Sequence, residues 1–149
     1  MDERKRLAIV FNGPPGAGKD TAILVLQKLY QKAEVYQFIR PVKEKVHRDL
    51  GLDVPFDHFE AQKDTALDIF AGLAPRYAYI AESDRLETLH GPNVLTDMYF
   101  DALSNCKADL LITSCGKNSE AEKLASIFGV ENTLFLRIHR QGHDFSKDV

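Results

Sequence analysis

The stretch IVFNGPPGAGKDT, Ile9 to Thr21, limits what this chain can fold into more than any other. Leu7 to Phe11 is a continuous apolar run that ends in a glycine- and proline-rich turn, the pattern of a strand covered on both faces in a parallel sheet. After Lys19, Thr21 to Tyr30 carries Ala, Ile, Leu and Val on nearly every side and reads as a buried helix. Between them, Gly13-x-x-x-x-Gly18-Lys19 has the spacing of a loop that turns successive backbone N–H groups toward phosphate oxygens. Glycine permits the close approach, and the following helix N-terminus adds favourable potential for an anion. The expected phosphate-binding set is Gly13, Pro14, Gly16, Ala17, Gly18, Lys19, Asp20 and Thr21, with Lys19 reaching the β- and γ-phosphates. Asp20 stands where such a loop usually has serine or threonine, and a hydroxyl arrives one residue later at Thr21.

Strand and helix signals then alternate. Val35 to Ile39 is a second strand candidate, followed by a helix with Pro41 in its first turn, Val42, Val46 and Leu50 on one stripe, and Gly51 as its stop. A further helix follows Pro92-Asn93, with Leu95, Met98, Tyr99, Ala102 and Leu103 on its apolar face. Leu110 to Thr113 and Leu134 to Ile138 are the remaining strand candidates. Between them Ser119 and Glu122 form a capping-box signature ahead of a helix that stops at Gly129. This alternation predicts an α/β fold with a mostly parallel sheet and helices on both faces. With 149 residues and 44% hydrophobic content the chain fits a single domain, with an insertion at about 53–91 that lacks a clear strand and suits a substrate cover.

The formal net charge of −3 gives no basis for nucleic-acid binding, which needs a basic face. No stretch approaches the roughly 20 apolar residues of a membrane span, so a cytoplasmic protein without membrane contact is expected. Cys106 and Cys115 are too few for a disulfide scaffold and read as inert thiols. A homodimer is compatible with the sequence and not specified by it.

The segment GPPGAGKDT resembles the adenylate-kinase loop, and its Lys-Asp-Thr form is most similar to phage-type deoxynucleoside monophosphate kinases. YQFIRPVKEKVHRDLGLD, FDHFEAQKD and LAPRYAYIAESDRLETLHGPN follow in the order of that family, so the resemblance spans about four-fifths of the chain. It implies a P-loop three-layer sandwich that transfers the ATP γ-phosphoryl group to a (deoxy)nucleoside monophosphate with Mg2+. It also implies a lid at about 139–149 that would continue into another helix and a fifth strand enclosing the adenine; the sequence stops at Val149, so either the chain is shortened or it manages without that edge, in which case the choice of phosphate donor would be broad.

Phosphoryl transfer asks mainly for positioning and positive charge, which directs attention to arginines. Arg40, at the end of the second strand candidate, is expected to face the acceptor phosphate, joined by Arg76 and, less directly, Arg85, whose acidic neighbours suit a helix ion pair. Arg137 lies inside an apolar strand pattern and Arg140 just past it; both are expected to close on the transferring phosphate. With Lys19 and Arg76 they complete the expected catalytic set. Asp20 and Thr21 are the expected metal-shell oxygens, with Glu82 or Asp84 as alternatives, because the strand DLLITSCG ends without an acid. Phe56, Phe59, Tyr77 and Tyr79 are candidates to stack on a base. His139 and His143 are not expected to form a metal pair. Two other readings share the loop: a non-catalytic nucleotide-binding module, and a kinase for a non-nucleotide small molecule.

Overall fold

The computed structural model describes residues 5–14 and 16–142. They form two compact units, one built from residues up to Gln37 and from Cys106 onward, the other from Phe38–Asn105.

The first unit is an α/β unit around a four-stranded, all-parallel sheet in the order β2-β3-β1-β4. Its elements are β1 (Leu7–Asn12), α1 (Lys19–Leu29), β2 (Glu34–Val35), β3 (Leu110–Ser114), α5 (Asn118–Phe128) and β4 (Thr133–Arg137). Central β1 pairs Ile9 with Ile112 on one side and with Leu134 on the other. Ala8, Val10, Phe11, Leu111, Ile112, Leu124 and Phe128 are buried, as the apolar runs require. The chain leaves β1 toward β2 at one edge, whereas β3 returns across β1 to β4 at the other. The carboxyl end of β1 therefore lies where the crossovers diverge, the usual ligand position of such sheets.

Several local expectations shift. The second strand is only Glu34–Val35, ahead of the predicted Val35 to Ile39. Beyond it the chain keeps one sheet bond, Tyr36 N–H to Ile112 O at 2.8 Å, and the buried Thr113 hydroxyl donates to Tyr36 O at 2.8 Å. Helix α1 forms, but no residue of it is buried. Ala22, Ile23 and Leu26 make a half-buried stripe, while Leu24, Val25 and Leu29 are exposed, because the small sheet covers one stripe rather than the whole circumference. The cap of α5 is Glu120, whose carboxylate accepts the N–H groups of Gly116 (2.8 Å) and Lys117 (3.1 Å); Ser119 lies within the first turn and Glu122 is exposed. Leu134 and Phe135 on edge strand β4 are exposed.

The second unit is helical: α2 (Arg40–Asp49), α3 (Pro75–His90) and α4 (Val94–Asn105), with 3-10 turns at Glu60–Gln62 and Asp68–Phe70. Pro41 sits in the first turn of α2, and Gly51 follows its end, as expected. Val42, Val46, Phe59, Phe70, Tyr79 and Leu86 form its buried core. Phe59 meets Phe70 edge-on with centroids 5.0 Å apart, and Phe70 meets Tyr79 at 6.0 Å. Such edge-to-face pairs add about 0.5–1.5 kcal/mol each beyond their buried area. His47 is also inside, 3% exposed, its Nε2 sharing a 2.8 Å hydrogen bond with the Tyr79 hydroxyl and its Nδ1 without a geometrically good hydrogen bond among the described residues. No helix among the described residues is long and apolar enough to cross a membrane.

Burial holds the His47 imidazole below its usual range, with the nearby charges of His58 and Lys43 acting in the same direction. The folded unit therefore keeps His47 neutral, whereas the unfolded chain takes up the proton near pH 6.5. The stability derived from the neutral ring is complete above that pH and is lost as the pH falls through the folded pKa. We expect the thermal unfolding midpoint to drop between pH 7.5 and 5.5, with a shallower drop in His47→Gln; scanning calorimetry across that range measures both slopes.

Candidate functional site

The turn between β1 and α1 begins at a junction that leaves no room for a side chain at Gly13. The backbone N–H of Ile138 donates to Asn12 O at 2.7 Å, and that of Cys115 donates to Phe11 O at 3.0 Å, so the β1 end is tied to the segments after β4 and β3. The Asn12 side-chain amide adds a 2.8 Å bond to Cys115 O. Gly13 is pressed against this junction: a Cβ there would lie 2.9 Å from Ile138 O and 3.2 Å from Ile138 Cβ. Further along, the Ala17 N–H donates to Pro14 O at 3.1 Å, and Gly18, at φ 102°, takes the left-handed conformation that starts α1 at Lys19. Gly18 supplies no side-chain cap, which leaves the first-turn N–H groups of α1 available to an external acceptor.

Around this turn the first unit gathers several of the expected residues. Arg140 Nη1 donates to Gly16 O at 3.2 Å, bringing that guanidinium to the loop. Arg137 ends β4 and lines a cavity of about 460 Å³ together with Asn12, Cys115, Lys117 and Asn118. Burial and the Glu120 charge push the Cys115 thiol up, partly offset by Lys19, so it remains protonated at neutral pH. Asp20 and Thr21 are exposed in the first turn of α1. Their carboxylate and hydroxyl oxygens suit a hard divalent cation completed by water and phosphate oxygens. Among the described residues no group of three His, Cys, Asp or Glu side chains is placed to hold a metal ion alone. His143 and most of the expected lid lie outside the described residues.

The helical unit holds its own pocket, about 270 Å³, with Phe56, Phe59, Tyr79, Lys43, Glu60 and Arg76 among its walls. Phe59 and Tyr79 are buried and Phe56 half-buried, while Tyr77 is 60% exposed and not part of the lining. Arg40 lies over the Phe56 ring at 4.5 Å and donates to Glu44 at 2.6 Å. Arg76 reaches Asp64 with two hydrogen bonds, 2.5 and 3.2 Å, both partners exposed. Arg85 is paired with Glu82 along α3 and does not line the pocket. Glu82 also meets Lys45 at 3.0 Å. Its hydrogen bond from Arg85 and the contacts with Lys45 outweigh partial burial and hold its carboxyl down to about 2. Glu82 is thus committed to an ion-pair network.

The residue that sequence reasoning passed over is Lys43. It is 8% exposed and lines the pocket, 3.4 Å from Glu60 Oε2 and 5.5 Å from the Tyr79 ring centroid. Its signal is a lysine one residue beyond the buried position Val42, on a helix whose apolar stripe is Val42, Val46 and Leu50. The chain matches no family model and no curated protein sequence.

Replacing Gly13 by alanine forces the Ile138 backbone to move, an overpacking cost of about 1–3 kcal/mol. Chemical denaturation of Gly13→Ala is expected to show that loss.

Proposed function

We propose that the protein is a P-loop phosphotransferase that moves the γ-phosphoryl group of ATP to a nucleoside monophosphate. The observation that carries this reading is the β1–α1 turn, where a glycine too confined for any side chain and a left-handed Gly18 lead directly into an uncapped helix beginning with Lys19. In this reading the loop N–H groups and Lys19 bind the donor phosphates. Arg140, already at Gly16, and Arg137 counter the charge that spreads over the transferring group. Asp20 and Thr21 would hold magnesium, which neutralises phosphate charge when bound. The pocket of the helical unit would take the acceptor, its aromatic walls packing on a base and Arg40 and Arg76 serving its phosphate.

The absence of a carboxylate at the β3 end, where Thr113, Ser114 and Cys115 stand, favours a second reading in which the loop holds nucleotide without turnover. ADP release from Mg-ATP, with common deoxynucleoside and ribonucleoside monophosphates offered one at a time, separates the two. Acceptor-dependent release is expected, and Lys19→Ala should lower it by about 10²–10³-fold, the scale of losing one donor to the transition state. Unchanged turnover in Lys19→Ala overturns the assignment. ATP binding without release for any nucleotide acceptor would favour a holding module, or a kinase whose acceptor is not a nucleotide.

A further inference from the structure

We propose that the pocket of the helical unit selects guanine, read by the Lys43 ammonium and the Glu60 carboxylate. The proposal rests on the nucleoside-monophosphate reading above and goes beyond it by naming the base and the residues that choose it.

Lys43 is a nine-tenths buried cation with an incomplete set of partners. Glu60 is its one hydrogen-bond partner among the described residues, and at 3.4 Å that contact is longer than the roughly 2.7–2.9 Å of a good charge-assisted bond. An ammonium carries three donors, and keeping one inside a protein is unfavourable unless they are used. Beside the long contact with Glu60 and the Tyr79 ring at 5.5 Å, the ammonium has donors to offer whatever enters the pocket. Glu60 is half-exposed, with Oε1 accepting from Lys63 at 3.1 Å and Oε2 facing Lys43, so a carboxylate retains lone pairs beside those donors.

The adjoining donor and acceptor groups narrow the ligand. A phosphate dianion against Lys43 would also meet the Glu60 charge, whereas Lys63 and Arg76 at the exposed rim offer the phosphate better placement. A neutral heterocycle suits the interior, whose lining includes the aromatic rings of Phe56 and Phe59 and the apolar side chains of Ile39 and Ile80. Guanine presents two adjacent acceptors, O6 and N7, to a lysine, and its N1–H and N2–H2 donors to a carboxylate. Adenine in the same orientation places its N6 amine against the ammonium, donor against donor. Cytosine repeats that conflict, and thymine keeps one carbonyl and one N–H but lacks N7 and the N2 amine. A correct pairing of this kind discriminates by about ten- to a hundredfold.

Equilibrium binding to the full chain, without ATP, tests the assignment separately from catalysis. The probes are dGMP, dIMP, dAMP, dTMP and dCMP, and the proteins are the parent, Lys43→Met and Glu60→Gln, each checked for its fold by circular dichroism and thermal midpoint. The expected result is tightest binding of dGMP, at least about tenfold over dAMP. Lys43→Met should bring dGMP to the level of dAMP, and Glu60→Gln should weaken dGMP more than dIMP, which lacks the N2 amine. If Lys43→Met does not fold, the dGMP-to-dIMP ratio in Glu60→Gln decides alone. Equal binding of all bases, a preference for dAMP, or a guanine preference that survives Lys43→Met overturns this inference and leaves the kinase reading standing. Failure of every monophosphate to bind overturns both.

Discussion

The junction at the carboxyl end of β1 is the constraint on which the first unit depends. Asn12 and Phe11 hold the exits of both flanking strands through backbone and side-chain bonds, and Gly13 turns away in a space only glycine fits. The three strand ends are thereby fixed together. Everything of chemical interest in that unit, including Lys19, Arg140 beside Gly16, and the cavity with Arg137, hangs from this knot. A site built on short bonds between strand ends holds its groups more tightly than one carried on a long loop, and the proposed phosphoryl transfer would depend chiefly on such positioning.

The helical unit solves a different problem. Its core combines aromatic and aliphatic side chains, and two polar groups lie within or beside it: His47, bonded to Tyr79, and Lys43, which lies over the same tyrosine ring. Burial and the Glu60 charge push the Tyr79 hydroxyl up to about 12, so it stays protonated and stationary as a hydrogen-bonding wall. Tyr79 thus belongs to the core and to the pocket lining at once. A change in core packing would be felt in the cavity.

What was legible in the sequence followed from patterns that local physics enforces. Apolar runs bounded by turns marked β1, β3 and β4 to within a residue or so, and glycine stops marked the ends of α2 and α5. The glycine spacing located the turn before α1. The misplacements arose where one residue's role depends on distant neighbours. Nothing in VYQFI tells that the strand ends at Val35 and the chain leaves the sheet after Tyr36, since that depends on how far β3 can pair with it. The apolar residues of α1 suggested burial all round, but burial needs a covering surface, and the sheet covers one stripe. Arg76 and Arg85 look alike in sequence; the fold puts the first in the pocket wall and the second in an ion pair along the helix. Lys43 and Asn12 escaped notice because a buried cation and a strand-end clamp carry no local pattern.

Helix α1 combines two properties: it has no buried residue, and its N-cap is a glycine without a side chain to close the first turn. A helix held so lightly lacks the usual internal reinforcement at the end that points toward the loop. An anion seated there would act as the missing cap, so that ligand and helix stabilise one another by thermodynamic linkage. Occupancy would then be written into the rigidity of α1 itself.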